Sequence, residues 1–200
     1  MALKLGCVIM AAGESRRFGE NKLLRCFDGV PLYIRALHAV PEYVFTQVCV
    51  VSAYAPVLEQ AEALGFQPIL NERPDLGISR TIRLGLEQLL HCDGVVFMTA
   101  DQPLLTARTP EALAASFAAE PTCIWAAAHH GRRGNPCLFP RDLFGELLAL
   151  ESDVGGSRVI KAHMDRLRLL ETPEWELADC DTAPTLRELE EKYENFTEHC

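Results

Sequence analysis

The sequence predicts an α/β protein built on an open, mostly parallel sheet with helices on both faces, a three-layer α/β/α arrangement. Apolar runs of strand length alternate along the chain with segments of helical spacing, the pattern that parallel strands and their crossover helices produce. Several runs are apolar at every position rather than every second one, as strands covered on both faces are. At 200 residues the chain has the length of one well-buried domain, taken to span 1–200.

Each element follows from its local pattern. LKLGCVIM at 3–10 reads as the first strand. Helical spacing over 31–40 opens on Pro31, which suits a first turn because it has no N–H to leave unpaired. QVCVVS at 47–52 is a second strand, and APVLEQAEAL at 55–64 is a helix stopped by Gly65. FQPIL at 66–70 is a short third strand. An amphipathic helix over 79–90 has Ser79 as its candidate N-cap. GVVFMTA at 94–100 is the fourth strand, and a helix opens at Thr109. TCIWAAA at 122–128 and NPCLF at 135–139 are later strands. Two short stretches, 141–150 and 157–165, have helical patterns, and LRLLE at 167–171 reads as a last strand. The charged end carries Leu186, Leu189 and Tyr193 on one face, which predicts a surface helix over about 184–195 and a frayed tail.

Composition narrows the function. The net charge of -9 argues against a nucleic-acid partner, which needs a basic face. It leaves room for a small anionic ligand, which needs only a few local cations. The apolar runs fall far short of a membrane span, and no long apolar region with a cleavage site follows the start. A cytoplasmic protein with no membrane partner is therefore expected. None of the eight cysteines forms a C-x-x-C pair, and no Cys/His grouping has zinc-ligand spacing. Reduced thiols buried as structural residues are the expected state.

The most informative stretch follows the first strand: VIMAAGESRRFGENKLL, beginning at Val8. In parallel α/β sheets ligands bind beyond the carboxyl ends of the strands, where this loop must lie. Ala11, Ala12 and Gly13 allow close backbone approach, Gly19 can take a positive φ, and Arg17 and Lys22 supply charge. Backbone N–H groups with cations make a phosphate cradle; a plain polar surface loop is the alternative. Neither the P-loop nor the dinucleotide fingerprint fits the glycine spacing. Further on, Asp101 in TADQPLL follows the fourth strand. Two readings suit it: a ligand for a hard cation such as magnesium, which prefers oxygen donors, or an Asx-type turn residue before Pro103.

The run from Ala12 to Lys22, AGESRRFGENK, resembles the A-G-x-S-x-R-[MF]-G-x-x-K signature of the MobA-like nucleotidyltransferases. In its AAG…RFG…NKLL form it is most similar to the MocA-type cytidylyltransferase branch; the guanylyltransferase branch more often has a double glycine where Ala12-Gly13 stand. The resemblance runs to about residue 186. It implies the Rossmann-like nucleotide-diphospho-sugar transferase fold, and a nucleotide site made of Ala11, Ala12, Gly13, Glu14, Ser15, Arg17 and Lys22. Lys22, Arg17 and Asp101 would be its catalytic groups, with Asp101 holding Mg2+.

Other segments extend the resemblance. NERPDLGISRTIRLGL resembles a segment of the base and ribose pocket, with Asn71, Gly77, Ser79 and Thr81 at the matching positions. Thr81 replaces a usual serine, and Arg80 is unusually bulky there. Gly77 would allow close backbone approach, and a helix N-terminus at Ser79 would offer N–H donors. GRRGNPCLF resembles an acceptor-side segment and supplies Gly134, Asn135 and Pro136, with Asn135 in place of a histidine. Arg132 and Arg133 would meet an anionic acceptor or form a solvated basic turn. LESDVGGSR supplies Asp153, Gly155 and Gly156, with Ser152 where the pattern has glycine. Of Asp179 and Asp181 in LADCDT, alternate spacing sends the two to opposite sides, and Asp181 is preferred as second metal ligand; a cap of the last helix is the alternative. His129 and His130 read as loop histidines. The implied reaction is transfer of CMP from CTP to the phosphate of molybdenum-loaded molybdopterin, with transient contact to a molybdenum hydroxylase. The alternatives are nucleotidyl transfer to a sugar- or polyol-phosphate, or a non-catalytic accessory role in cofactor delivery.

Overall fold

The computed structural model describes residues 3–15, 18–19 and 21–197. Its core is a seven-stranded sheet in the order β5-β4-β1-β6-β8-β7-β9. The strands are β1 (Leu5–Ala11), β4 (Gln47–Ser52), β5 (Gln67–Leu70), β6 (Gly94–Thr99), β7 (Ile124–His129), β8 (Arg132–Pro140) and β9 (Leu167–Glu171). All pairings are parallel except the two that β8 makes, with β6 and with β7. β8 is antiparallel because only residues 130–131 separate it from β7, too few for a crossover. It also runs longer than NPCLF, reaching back to Arg132.

The layers follow from the strand patterns. Along β1, Cys7 and Ile9 belong to one core cluster and Val8 to the other. Along β6, Val96 and Met98 face the first cluster while Val95 and Phe97 face the second. Helices α1 (Leu32–His38), α2 (Ala55–Ala63) and α4 (Arg108–Ala119) fill the first cluster with Leu37, Val57 and Phe117. Helices α3 (Ile78–Glu87), α5 (Phe144–Leu148) and α6 (Ser157–Ala162) fill the second with Leu86, Leu147 and Ile160. The continuous apolar strands are thus buried on both faces, as predicted. Among the described residues all seven cysteines are free thiols, and no helix is long and apolar enough to cross a membrane.

Three starts differ from the sequence reading. Pro31 precedes α1 instead of opening it, because it pairs with Cys26 in a small hairpin of β2 (Cys26–Phe27) and β3 (Val30–Pro31). The hairpin turns through Asp28 and Gly29, both at positive φ, 50° and 72°, the backbone a two-residue Asp-Gly turn demands. Helix α4 begins at Arg108 rather than Thr109, whose hydroxyl instead donates to the buried carboxylate of Glu176 at 2.7 Å. Ser79 is not an N-cap; Gly77 holds that position, with φ 89°. The final helix, α7 (Ala183–Thr197), buries Leu186 and Leu189 against Phe27 and Leu32. Tyr193 meets Phe27 edge-on at 5.4 Å.

The site-bearing edge depends on close packing of α3 onto β1. A Cβ at Gly85 would lie 2.5 Å from Val8 Cγ1, whereas one at the exposed Gly145 of α5 meets nothing within 4 Å among the described residues. Gly85→Ala therefore destabilises by about 1–3 kcal/mol through overpacking, although alanine is the better helix former by about 1 kcal/mol. Gly145→Ala is neutral or gains up to about 1 kcal/mol; urea unfolding of the two variants measures the contrast.

Candidate functional site

The strand order reverses beside β1: the chain moves from β1 to β4 and β5 on one side, then returns to place β6 on the other. Such a switch leaves a crevice between the strand ends. Met10 and Thr99 are register partners there, and both line a cleft of about 660 Å³.

Local hydrogen bonds shape the loop after β1. Ser52 Oγ donates to the Ala11 carbonyl at 2.9 Å, and Tyr54 Oη donates to the Gly13 carbonyl at 2.8 Å. Ser15 has φ 52°, and its Oγ accepts from the Lys22 backbone N–H at 3.1 Å. Asn21 caps the short 3-10 turn Lys22–Leu24 by accepting from the Leu23 N–H at 3.0 Å. These bonds deliver Lys22 to the cleft with its side chain only 12% exposed. Its Nζ lies 2.6 Å from Asp101 Oδ2 and 3.2 Å from Asp181 Oδ1. Burial draws the ammonium down, but the two carboxylates outweigh it, and the net shift is upward. Arg17 lies outside the described residues.

Asp101 follows β6, and Asp181 arrives with a strap tied on twice. The Cys180 N–H donates to the Asp101 carbonyl at 2.8 Å. Upstream, buried Glu176 accepts from the Thr106 N–H and the Thr106 and Thr109 hydroxyls. Asp181 lines the cleft, while Asp179 lines a second pocket of about 250 Å³, so the alternate spacing does send them to different places. Asp179 is exposed at that pocket's rim with its carboxyl crowded by protein. Crowding, then the charges of Asp101 and Asp181, push it up to about 6, and Lys22 pulls the other way; water at the rim screens part of this.

Most of the sequence-derived residues converge. Ala12, Gly13, Glu14, Ser15, Lys22, Gly77, Thr81, Asp101 and Asp181 line the cleft. Ala11, Asn71 and Ser79 stand behind it. Asn71 is buried, its amide donating to Thr81 Oγ1 at 3.2 Å and its Oδ1 accepting from the Arg73 N–H and Arg80 Nε. The bulky Arg80 is thus a clamp on Asn71. The α3 N-terminus does not offer open donors: Ser79 N–H donates to the Ser152 carbonyl at 3.3 Å, and Ile78 N–H to Asp153 Oδ1 at 3.4 Å. Gly77 is needed for that contact, since a Cβ would lie 2.5 Å from the Ser152 carbonyl. Ser152 keeps a left-handed backbone, φ 57°, which accounts for glycine in the pattern it resembles.

Of the acceptor-side residues, Gly134, Asn135, Gly155 and Gly156 line the second pocket, Asp153 lines the cleft, and Pro136 lines neither. The sequence reading missed Pro74, Asp75, Leu76 and Thr99 in the cleft wall; the first three sit in a short 3-10 turn before Gly77. It also missed a surface group of His129, His130 and Glu171, whose candidate ligand atoms lie within 4.8 Å of one another. Its members come from the ends of two strands, so linear spacing does not reveal it.

A family profile described as the MobA-like NTP transferase domain matches residues 7–167. A molybdenum cofactor guanylyltransferase of Rhodobacter capsulatus is 33% identical over 119 residues, 57% of this chain and 60% of that protein; the match thus spans less than two thirds of the relative. Rv0371c of Mycobacterium tuberculosis superposes with TM-score 0.79 at 24% identity, covering 96% of this chain and all of that one. Its complex with manganese gives 0.75 at 25% identity, covering 94% and 98%. A nucleotidyl transferase from Methanothermobacter gives 0.79 at 19% identity, covering 96% and 99%. These likenesses identify the nucleotide-diphospho-sugar transferase fold.

The Asp179 carboxyl yields a signed prediction. Its folded-state pKa, about 6, lies above the ordinary 3.8, so its favourable contribution is complete below pH 3.8 and lost as pH rises through 6. In metal-free buffer Asp179→Asn raises the melting temperature at pH 8 and leaves it nearly unchanged at pH 4. Equal shifts at both values in a calorimetric scan contradict this.

Proposed function

The chain belongs to the MobA-like NTP transferases, and from that premise we propose that it transfers CMP from CTP to the phosphate of molybdenum-loaded molybdopterin, releasing pyrophosphate. The observation that carries the reading is the Lys22–Asp101–Asp181 cluster at the head of a cleft walled by the Ala12–Ser15 backbone. The cofactor pathway rests on the guanylyltransferase relative, and the preference for CTP on the Ala12-Gly13 form of the loop.

In this reading the backbone of Ala12 to Ser15 and Arg17 hold the β,γ end of the triphosphate, and Lys22 lies at the α-phosphate. An acceptor phosphate oxygen attacks the α-phosphorus, a new P–O bond forms, and the bond to the β-phosphate oxygen breaks. A phosphomonoester is already largely ionised near pH 7, so no side chain has to remove a proton. The protein's work is alignment of two anions and stabilisation of charge in flight. Lys22 suits that work because its ammonium is desolvated and held in place before substrate arrives.

Magnesium fits the donors present. Among the described residues Asp101 Oδ1 is buried with no hydrogen-bond partner, and Asp181 adds a second carboxylate within reach of the same lysine, the hard oxygen donors such an ion takes. When bound by Asp101 and Asp181 it would supply charge neutralisation for the departing pyrophosphate. The manganese complex of Rv0371c supports a divalent ion in a protein of this fold.

A second reading, GMP transfer from GTP, is favoured by the Rhodobacter relative. Pyrophosphate release with and without molybdopterin, comparing CTP, GTP and ATP, decides between them. CTP is expected to give the highest kcat/KM; GTP in first place replaces the cytidylyl reading, and no release with any nucleotide removes both. Lys22→Ala and Asp101→Ala each lower kcat by at least about 100-fold, the scale of losing one preorganised charge, with melting still cooperative. Chelation by EDTA abolishes turnover and added Mg2+ restores it.

A further inference from the structure

The hairpin that joins β7 to β8 carries a group that nucleotidyl transfer does not use. His129 ends β7, and His130 and Gly131 make the two-residue turn into β8, both at positive φ, 48° and 77°. Such turns are normally filled by Asn-Gly or Gly-Gly pairs, and a histidine in left-handed backbone is uncommon. Glu171 ends the neighbouring β9, in register with Ala128. β7 and β9 run parallel to each other and to β6, so the three residues stand at the edge of the sheet that carries the cleft.

The geometry around the Glu171 carboxylate is specific. Its Oε1 accepts from the His130 backbone N–H at 3.0 Å, which fixes its place. The same oxygen lies 3.2 Å from His129 Nδ1 and 3.8 Å from His130 Nδ1, and the two rings approach with centroids 4.0 Å apart. His129 Nδ1 also faces the Thr172 carbonyl at 3.1 Å. One ring nitrogen thus meets two oxygens with at most one proton to offer. A cation between them relieves that excess of acceptors and gains the His130 ring as a further donor. Donors held by a tetrahedral ion sit roughly 3.3 Å apart, and candidate donor atoms of the three residues lie within 4.8 Å of one another, so small side-chain rotations close the group. A hydrogen bond behind a ligating carboxylate, such as the one from the His130 N–H, is what holds a ligand in position for its ion. His130 and Glu171 are exposed and His129 partly so, which leaves an ion free to enter.

We propose that His129, His130 and Glu171 bind a divalent ion of the zinc class, and that the bound ion pins the root of the strap that carries Asp181. Two imidazole nitrogens with one carboxylate suit zinc and its neighbours; magnesium takes oxygen donors instead. The site therefore differs in chemistry from the cleft carboxylates and is independent of the transferase reading. Its consequence follows from its place in the fold. Thr172 comes directly after Glu171, buried, with its N–H donating to the Ala128 carbonyl at 2.8 Å. From there the chain becomes the strap that Glu176 ties to α4 and that brings Asp181 to Lys22. An ion bridging the ends of β7 and β9 adds a third fixed point ahead of those two.

The test needs no turnover. Zinc is titrated calorimetrically into wild type, His129→Ala, His130→Ala and Glu171→Gln. The control is Glu146→Gln, which breaks the separate contact of Glu146 with His163 at 2.8 Å. Exposed thiols are alkylated beforehand, and excess Mg2+ occupies the cleft carboxylates throughout. Wild type is expected to bind zinc saturably, each of the three ligand variants to weaken binding by about 10-fold or more, and Glu146→Gln to stay within about 2-fold of wild type. Amide hydrogen exchange over residues 172–181 is expected to slow on zinc addition in wild type and not in Glu171→Gln. No saturable binding to wild type, affinity within about 2-fold of wild type in His129→Ala or Glu171→Gln, or an equal loss in Glu146→Gln overturns the site. Exchange that zinc leaves unchanged in wild type overturns the pinning. Should His129→Ala fail to fold, the more exposed His130→Ala and Glu171→Gln carry the same comparison.

Discussion

One shared ammonium organises this structure. Lys22 is separated by 79 residues from Asp101 and by 159 from Asp181, yet one mostly buried Nζ touches both. Buried charges persist only when paired, so Lys22 and Asp101 each need the other in place, while the half-exposed Asp181 adds a second, screened contact. The rest of the edge reads as the means of bringing them there. The Ser15 hydroxyl holds the Lys22 backbone, the Asp101 carbonyl holds Cys180, and Glu176 ties the strap to the start of α4. An acidic chain of net charge -9 can in this way present a cation to a triphosphate: the positive field is made locally, by placement rather than by composition.

Much of this was legible because it is written in short runs. Fully apolar strands announce a sheet covered on both faces, and Leu186, Leu189 and Tyr193 mark the buried stripe of α7. The loop after β1 is legible for a topological reason: whatever follows the first central strand must lie at the crevice. The alternate spacing of Asp179 and Asp181 likewise gives a geometric result, two side chains in two cavities, without any knowledge of tertiary packing. The Asp28-Gly29 hairpin carried an equally clear signal in its Asp-Gly pair. It went unread because two-residue strands leave no periodicity.

What stayed hidden depends on contacts between distant segments. Asn71 and Ser79 stand close in sequence to cleft residues, and a helix N-terminus looks like a ready donor site. The Ser152–Asp153 loop closes that terminus first, a fact set by tertiary packing and absent from local pattern. The same contact explains why Gly77 is glycine. Its lack of a Cβ serves a neighbouring backbone, where the sequence alone suggested a ligand. Pro74, Asp75 and Leu76 were missed for the converse reason: nothing about a short turn marks it as a wall until the opposite wall is known.

That loop has a further role in the logic of the site. Residues 152–157 run along both cavities: Ser152 and Asp153 line the cleft, while Gly155, Gly156 and Ser157 line the second pocket. At one end the loop bonds to the first turn of α3, and at the other Ser157 holds Arg133. The two ends are too close in sequence to move independently by much. A rigid α3, seated on β1 through Gly85, therefore fixes the cleft wall and the position of Arg133 together. Reaction between two bound anions demands that their relative position be set within fractions of an ångström. A single short loop spanning both cavities meets that demand with fewer adjustable contacts than two separate loops would need.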